Sequence, residues 1–279
     1  MLSATSSRRR PLAFIGLVVA CSMPFYLLGA VIDRDLPFNL PIGALMFVAP
    51  TLAASILVYR DEGMPAVRQL LRRPADVRRI GSTRWLIPTV LLLPAIYLAS
   101  WWVMRLTDRS LPDPDIPIVL VPLVIAIFFV AAAAEEIGWS GYALDPAQAR
   151  WGALGAGLIL GLAWAAVHVV PDLQGGRSLS WIASHRSMTI VLRVLIVWIY
   201  ANTGRSVFAA SLFHAMDNTG SSLFPNEGSH YDPAVTAPIA ALVAAAVTWL
   251  WGPATLARFR FGKGSQATMS GADEAVPRV

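Results

Sequence analysis

The chain alternates long apolar runs with short polar breaks. Apolar runs cover residues 11–32, 40–59 and 85–106, and a fourth begins near 116 and closes on Glu135 and Glu136. Four more follow at 151–170, 188–200, 206–224 and 234–256. Most approach the roughly 20 residues that a helix needs to cross the hydrocarbon core. The pattern predicts an all-α, polytopic membrane helix bundle of about eight transmembrane helices. Residues 1–10 are expected as an N-terminal tail and 11–257 as one membrane-embedded domain with its motif-bearing core at 116–224. Residues 258–279, rich in Gly, Ser and Ala, are expected as a disordered tail. A signal peptide is the rival reading of the first run, since Arg8, Arg9 and Arg10 precede it. The run continues about ten residues past Cys21, which favours a retained span.

Composition agrees. The chain is 56% hydrophobic and 14% charged, with mean hydropathy +0.58, whereas soluble domains carry about 25% charge. The net charge is +5, from 21 arginines and one lysine. In such a chain this is an orientation and lipid-headgroup signal, not a nucleic-acid footprint. The single cysteine, Cys21, excludes an intramolecular disulfide. Arginines concentrate in the N-terminal tail, in residues 60–84 and after the last run. With eight spans both termini share a side, and the positive-inside rule puts them in the cytoplasm of a cell membrane. The arginine and alanine bias fits a bacterial inner membrane.

Glu135 and Glu136 interrupt this picture. A carboxylate at the bilayer centre costs roughly 2.5–3.5 kcal/mol on insertion scales and is functional by default. Neighbours on a helix diverge by about 100°, so one is expected to work and the other to support it. The structural alternative is an acidic pair at a helix end facing headgroups. His168 closes a later apolar stretch, and a lone histidine there can be interfacial. His214 and Asn218 are four apart and share a face, with Asp217 expected to point elsewhere. An acid, a histidine, and a histidine with an amide, on three apolar helices, together point to one chemical site. Arg193, inside the sixth run, is expected to pair with an acid such as Asp217 or to snorkel. His185 and His230 are expected at the surface. Gly157 and Gly161 form a GxxxG pair that serves close helix packing.

These residues resemble a known family. Glu135-Glu136 with Trp139 and Gly141, the aromatic-xxx-His of Trp164 and His168, and the HxxxN of His214 and Asn218 are similar to the three motifs of the CAAX-protease and bacteriocin-processing (CPBP, or Abi) intramembrane proteases. The resemblance covers about residues 116–224. It implies a bundle of about eight helices with its site among the fourth, fifth and seventh. It also implies hydrolysis of a peptide bond in a membrane-associated peptide or protein, prenylated CAAX-type or bacteriocin-like, with the bilayer as the other partner and no nucleic acid. Carried over by position, Glu135 would activate water, His168, His214 and Asn218 would complete the site, and Glu136 would support it. Trp164 replaces the commoner Phe, a mild change if the ring only packs. Ser140 stands where the first motif, EExxxR, has arginine. The alternative function is therefore a catalytically altered or inactive CPBP-like scaffold or immunity protein. A transporter is a third class, but no paired broken helices suggest one.

Two chemistries stay open. In the metal-free one Glu135 takes a proton from water, provided burial makes it a better base, while His214 and Asn218 donate to the oxyanion and His168 orients the water. In the metal-dependent one, a divalent ion such as zinc would take His168, His214 and a carboxylate, Glu135, as ligands. No cofactor is firmly indicated, and the metal-free version is preferred. In a straight up-and-down bundle Glu135 and His168 would lie at different depths. A single site therefore requires a bend within residues 141–155, which Pro146 and Gly152 permit.

Overall fold

The structure, a computed structural model, describes residues 9–32, 35–36, 40–226 and 228–260. The expected tails before residue 9 and after 260 lie outside the described residues, as does Arg34. Helix α1 (Pro11–Val31) leads through a two-residue-per-strand hairpin, Asp35–Leu36 with Leu40–Pro41, into a 3-10 segment (Ile42–Val48). Helices α2 (Ala49–Glu62), α3 (Met64–Leu71), α4 (Leu86–Leu106) and α5 (Val121–Gly138) follow. Helix α5 runs through a π-helical segment (Trp139–Leu144) into α6 (Asp145–Gln174). Helices α7 (Leu179–Asn202), α8 (Val207–Leu223) and α9 (Pro233–Trp251) complete the bundle. The all-α expectation holds, with the hairpin as a small addition.

Among the described residues, six segments are long and apolar enough to cross a membrane. One of them, Val121–Gln174, has 54 residues. At 1.5 Å per residue it would extend about 80 Å, enough for two passes of a core about 30 Å thick. Helix α8, the remaining expected span, has 17 residues and carries the polar side chains of the site. The chain is a multi-pass membrane protein. Leu27, Leu91, Leu98, Leu123, Val130 and Leu242 are exposed on the outside of the bundle. Lipid explains so extensive an apolar surface, which water would not tolerate.

The turn between the fourth and fifth passes lies at Gly152. Its backbone is left-handed (φ 70°) and breaks the helix there, a conformation glycine adopts without a Cβ penalty. The amides of the restarted helix are satisfied from the C-terminal segment: Ala153 N donates to Ala254 O (2.8 Å) and Leu154 N to Pro253 O (2.9 Å). The bend falls within the expected stretch. It also removes the depth problem, because Glu135 lies 17 residues before Gly152 and His168 lies 16 after it. Both are about 25 Å of helix from the turn. The sixth pass begins at Leu179 rather than near 188. Its first turns are polar because one side faces a cavity, so hydropathy underestimates its length.

The bundle has two distinct ends. At one, Asp76 anchors the start of α8, accepting from Ser206 Oγ (2.7 Å), Val207 N (3.2 Å) and Phe208 N (3.1 Å). Arg9 donates to Gly141 O (3.1 Å) and Asn202 to Leu256 O (2.7 Å) at this same end. At the other, Asp115 N donates to Asn226 Oδ1 (3.1 Å) and Arg109 pairs with Asp232.

Candidate active site

Small residues bring the site helices together. A Cβ on Gly157 would stand 3.2 Å from Val194 Cα, and one on Gly161 would stand 3.1 Å from Ile190 Cα and 3.2 Å from Arg193 Cβ. The GxxxG pair therefore packs α6 on α7, as expected, and fixes where Arg193 lies. Ala132 of α5 meets Ala215 of α8 in a small cluster with Val124 and Phe128. Thr51 on α2 donates to Ala134 O, and Gly138 lies against Pro50.

Glu135 and Glu136 diverge into different environments. Glu135 is 6% exposed and lines a cavity of about 240 Å³. Its Oε2 accepts from Trp164 Nε1 at 2.6 Å and lies 4.0 Å from His168 Nε2. His168 Nδ1 is 2.9 Å from Trp164 O. A carbonyl only accepts, so Nδ1 carries a proton, and in the neutral imidazole Nε2 then presents a lone pair toward Glu135. Glu136 is fully buried behind this pair. Arg193 grips it with two nearly parallel bonds, Nη1 to Oε2 (2.8 Å) and Nη2 to Oε1 (2.9 Å). Ser140 Oγ also donates to Glu136, and His214 Nδ1 donates to its Oε1 at 3.2 Å. This bidentate, charge-assisted pairing is the strong kind, and it leaves Glu136 no free face for substrate.

His168, His214 and Asn218 line the same cavity as Glu135. The structure thus brings all five expected residues into one cluster, four on the cavity wall and Glu136 supporting them. Several side chains behave differently from expectation. Arg193 pairs with Glu136, not Asp217. Asp217 lines the cavity beside Asn218 instead of pointing away, and its Oδ1 accepts from Tyr97 OH at 2.9 Å. His185, expected at the surface, is on α7 and lines the cavity, because the polar stretch before residue 188 is helical. Its neighbour Arg186 pairs with Asp172 at 2.9 Å. His230 is exposed, as expected. Trp164 does more than pack: its indole N–H holds the catalytic candidate, which a Phe ring cannot do.

A metal ion does not fit His168, His214 and Glu135 as they stand. Among the described residues no three His, Cys, Asp or Glu side chains are grouped to hold one. Trp164 packs edge-on against both imidazoles, with ring centroids 5.8 Å from His168 and 4.8 Å from His214. The second carboxylate is already occupied by a guanidinium.

Fold and site together define a polytopic helix bundle with a buried acid–histidine cluster beneath a cavity. A family model described as Rce1-like, type II CAAX prenyl endopeptidase, matches residues 117–220. The chain is also similar to a protein named CAAX prenyl protease 2 from Methanococcus maripaludis, with 24% identity over 192 residues, 63% of this chain and 69% of that protein. Both findings bear out the resemblance carried by the three motifs, to the CPBP/CAAX intramembrane protease family.

Proposed function

We propose that this chain is an intramembrane endopeptidase in which Glu135 activates water to hydrolyse a peptide bond of a membrane-associated substrate. The observation that carries the reading is the pair of acceptors, Glu135 Oε2 and His168 Nε2, facing each other across 4.0 Å on the cavity wall. Two acceptors at that spacing suit a water that donates one O–H to each and keeps its lone pairs for attack. Glu135 takes the proton as the oxygen bonds to the carbonyl carbon. His214, held through Nδ1 by Glu136, is the donor proposed for the developing oxyanion. The Asn218 amide is a second donor on the same wall. Protonated Glu135 then gives its proton to the leaving amine, so an acid and an amine are the products. Glu136 and Arg193 hold His214 and touch no substrate.

The membrane domain at 11–257 would sit with both termini in the cytoplasm. The related protein's name adds prenylated CAAX peptides to the substrates worth testing.

The test is cleavage of soluble, transmembrane and farnesylated peptides by purified protein in lipid. Glu135→Ala should lose roughly 10²–10⁴-fold of the activity, the usual scale for a general base, while a chelator should leave wild type unaffected. Activity lost to the chelator would call for a metal. Well-folded wild type that cleaves none of the three classes would replace the protease with the scaffold or immunity reading.

A further inference from the structure

The cavity belongs to one end of the bundle. Its rim is built from Leu40 and Pro41 after α1, Gly175 and Arg177 between α6 and α7, and Ser222 near the end of α8. No residue of the opposite end lines it. On that opposite side the route is filled. Phe14, Trp139, Tyr142 and Leu144 are buried there, Phe14 meeting Trp139 edge-on at 5.2 Å and Tyr142 at 5.4 Å. The Glu136–Arg193 pair is sealed above them, with the guanidinium 5.8 Å from the Trp139 ring.

Charge distinguishes the same two ends. The filled end carries Arg9, Arg10, the seven arginines between residues 60 and 84, Arg150, Arg205, Arg258 and Arg260. Among the described residues the open end carries Arg105, Arg109, Arg177 and Arg186. Arg186 is neutralised by Asp172, and Arg109 by Asp232. Arginine excess in short loops marks the cytoplasmic side.

From these two asymmetries we infer that the catalytic cavity opens away from the cytoplasm, and that its substrate is an exported peptide or a membrane protein segment presented at the non-cytoplasmic surface. The inference rests on the protease reading for its chemistry, and on the charge distribution for its direction. A lipid-modified tail made and displayed in the cytoplasm would meet the filled end. The cavity suits a partly apolar segment: Phe47, Phe128 and Leu192 line its walls, and Trp181, His185 and Arg177 stand nearer the rim.

Cys21 is the single cysteine, so a Cys21→Ser background permits a direct test. Arg177→Cys at the rim and Arg68→Cys, exposed on α3, are labelled with a membrane-impermeant maleimide in intact cells and after lysis. Arg177→Cys should react in intact cells and Arg68→Cys only after lysis; the reverse pattern overturns the inference. In right-side-out and inside-out vesicles given an impermeant transmembrane-type peptide, cleavage should be confined to the right-side-out preparation. Cleavage confined to inside-out vesicles, or equal in both, overturns the inference. Absence of cleavage from either side sinks the protease reading and the substrate class with it, whereas the labelling still decides where the cavity opens.

Discussion

At the scale of single residues, the cluster is a division of labour between two adjacent acids. Glu135 is held by one neutral donor, the Trp164 indole, and remains available to the cavity. Glu136 is saturated by Arg193, Ser140 and His214. Ser140 stands four residues after Glu136, where the family motif carries arginine, and its short side chain still reaches the carboxylate. The positive charge arrives instead from Arg193 on α7. Arg193→Met should destabilise the protein by about 3–5 kcal/mol, the scale for stranding one member of a buried ion pair, and should abolish peptide cleavage. Adding Ser140→Arg to that variant returns a guanidinium to Glu136 from its own helix. Thermal stability and cleavage should then both recover in part, whereas Ser140→Arg alone should lower stability by placing a second cation beside the first. A single Arg193→Met variant with wild-type stability and activity would refute the role assigned to the pair.

At the scale of elements, the α6–α7 seam sets the geometry. Gly157 and Gly161 let the α7 backbone approach closely enough for Arg193 to reach across to α5. Gly161→Leu should separate the helices, at a cost of about 1–3 kcal/mol for overpacking, and should reduce cleavage by more than the stability loss explains. A variant with normal cleavage would show that the close approach is not needed for the site. The other decisive element is the turn at Gly152. It sets nearly equal helical lengths to Glu135 and His168, so two residues 33 apart in sequence meet across one cavity. The basic segment between α2 and α4 also has structural work: Asp76 within it anchors the first turn of α8, and with it the helix that carries His214 and Asn218.

At the scale of the molecule, the surface and the interior are inverted relative to a soluble protein. Leucines and valines cover the outside, while carboxylates, histidines and arginines line a cavity that opens at one end of the bundle. The protein should therefore remain with the membrane fraction through an alkaline carbonate wash. Recovery in the supernatant would contradict the spanning architecture. The same inversion gives the two ends their different characters, one basic and filled, the other opening into the cavity.

The sequence by itself determined the all-α, multi-pass class and the order of the apolar segments, and it picked out five residues that the structure brings into one cluster. An apolar run of bilayer length has few other uses, and polar residues inside such runs stand out against their surroundings. It also foresaw a bend before the fifth pass. What it could not decide was which polar group meets which. That depends on the rotation and depth of each helix about its neighbours, which differ by whole partners for a change of one residue in phase. Hence Arg193 found Glu136 and not Asp217, Trp164 proved to be a hydrogen-bond donor to Glu135 rather than packing alone, and His185 and Arg186 came to line the cavity. Only the tertiary structure could place a buried arginine from one helix where the motif of another has serine.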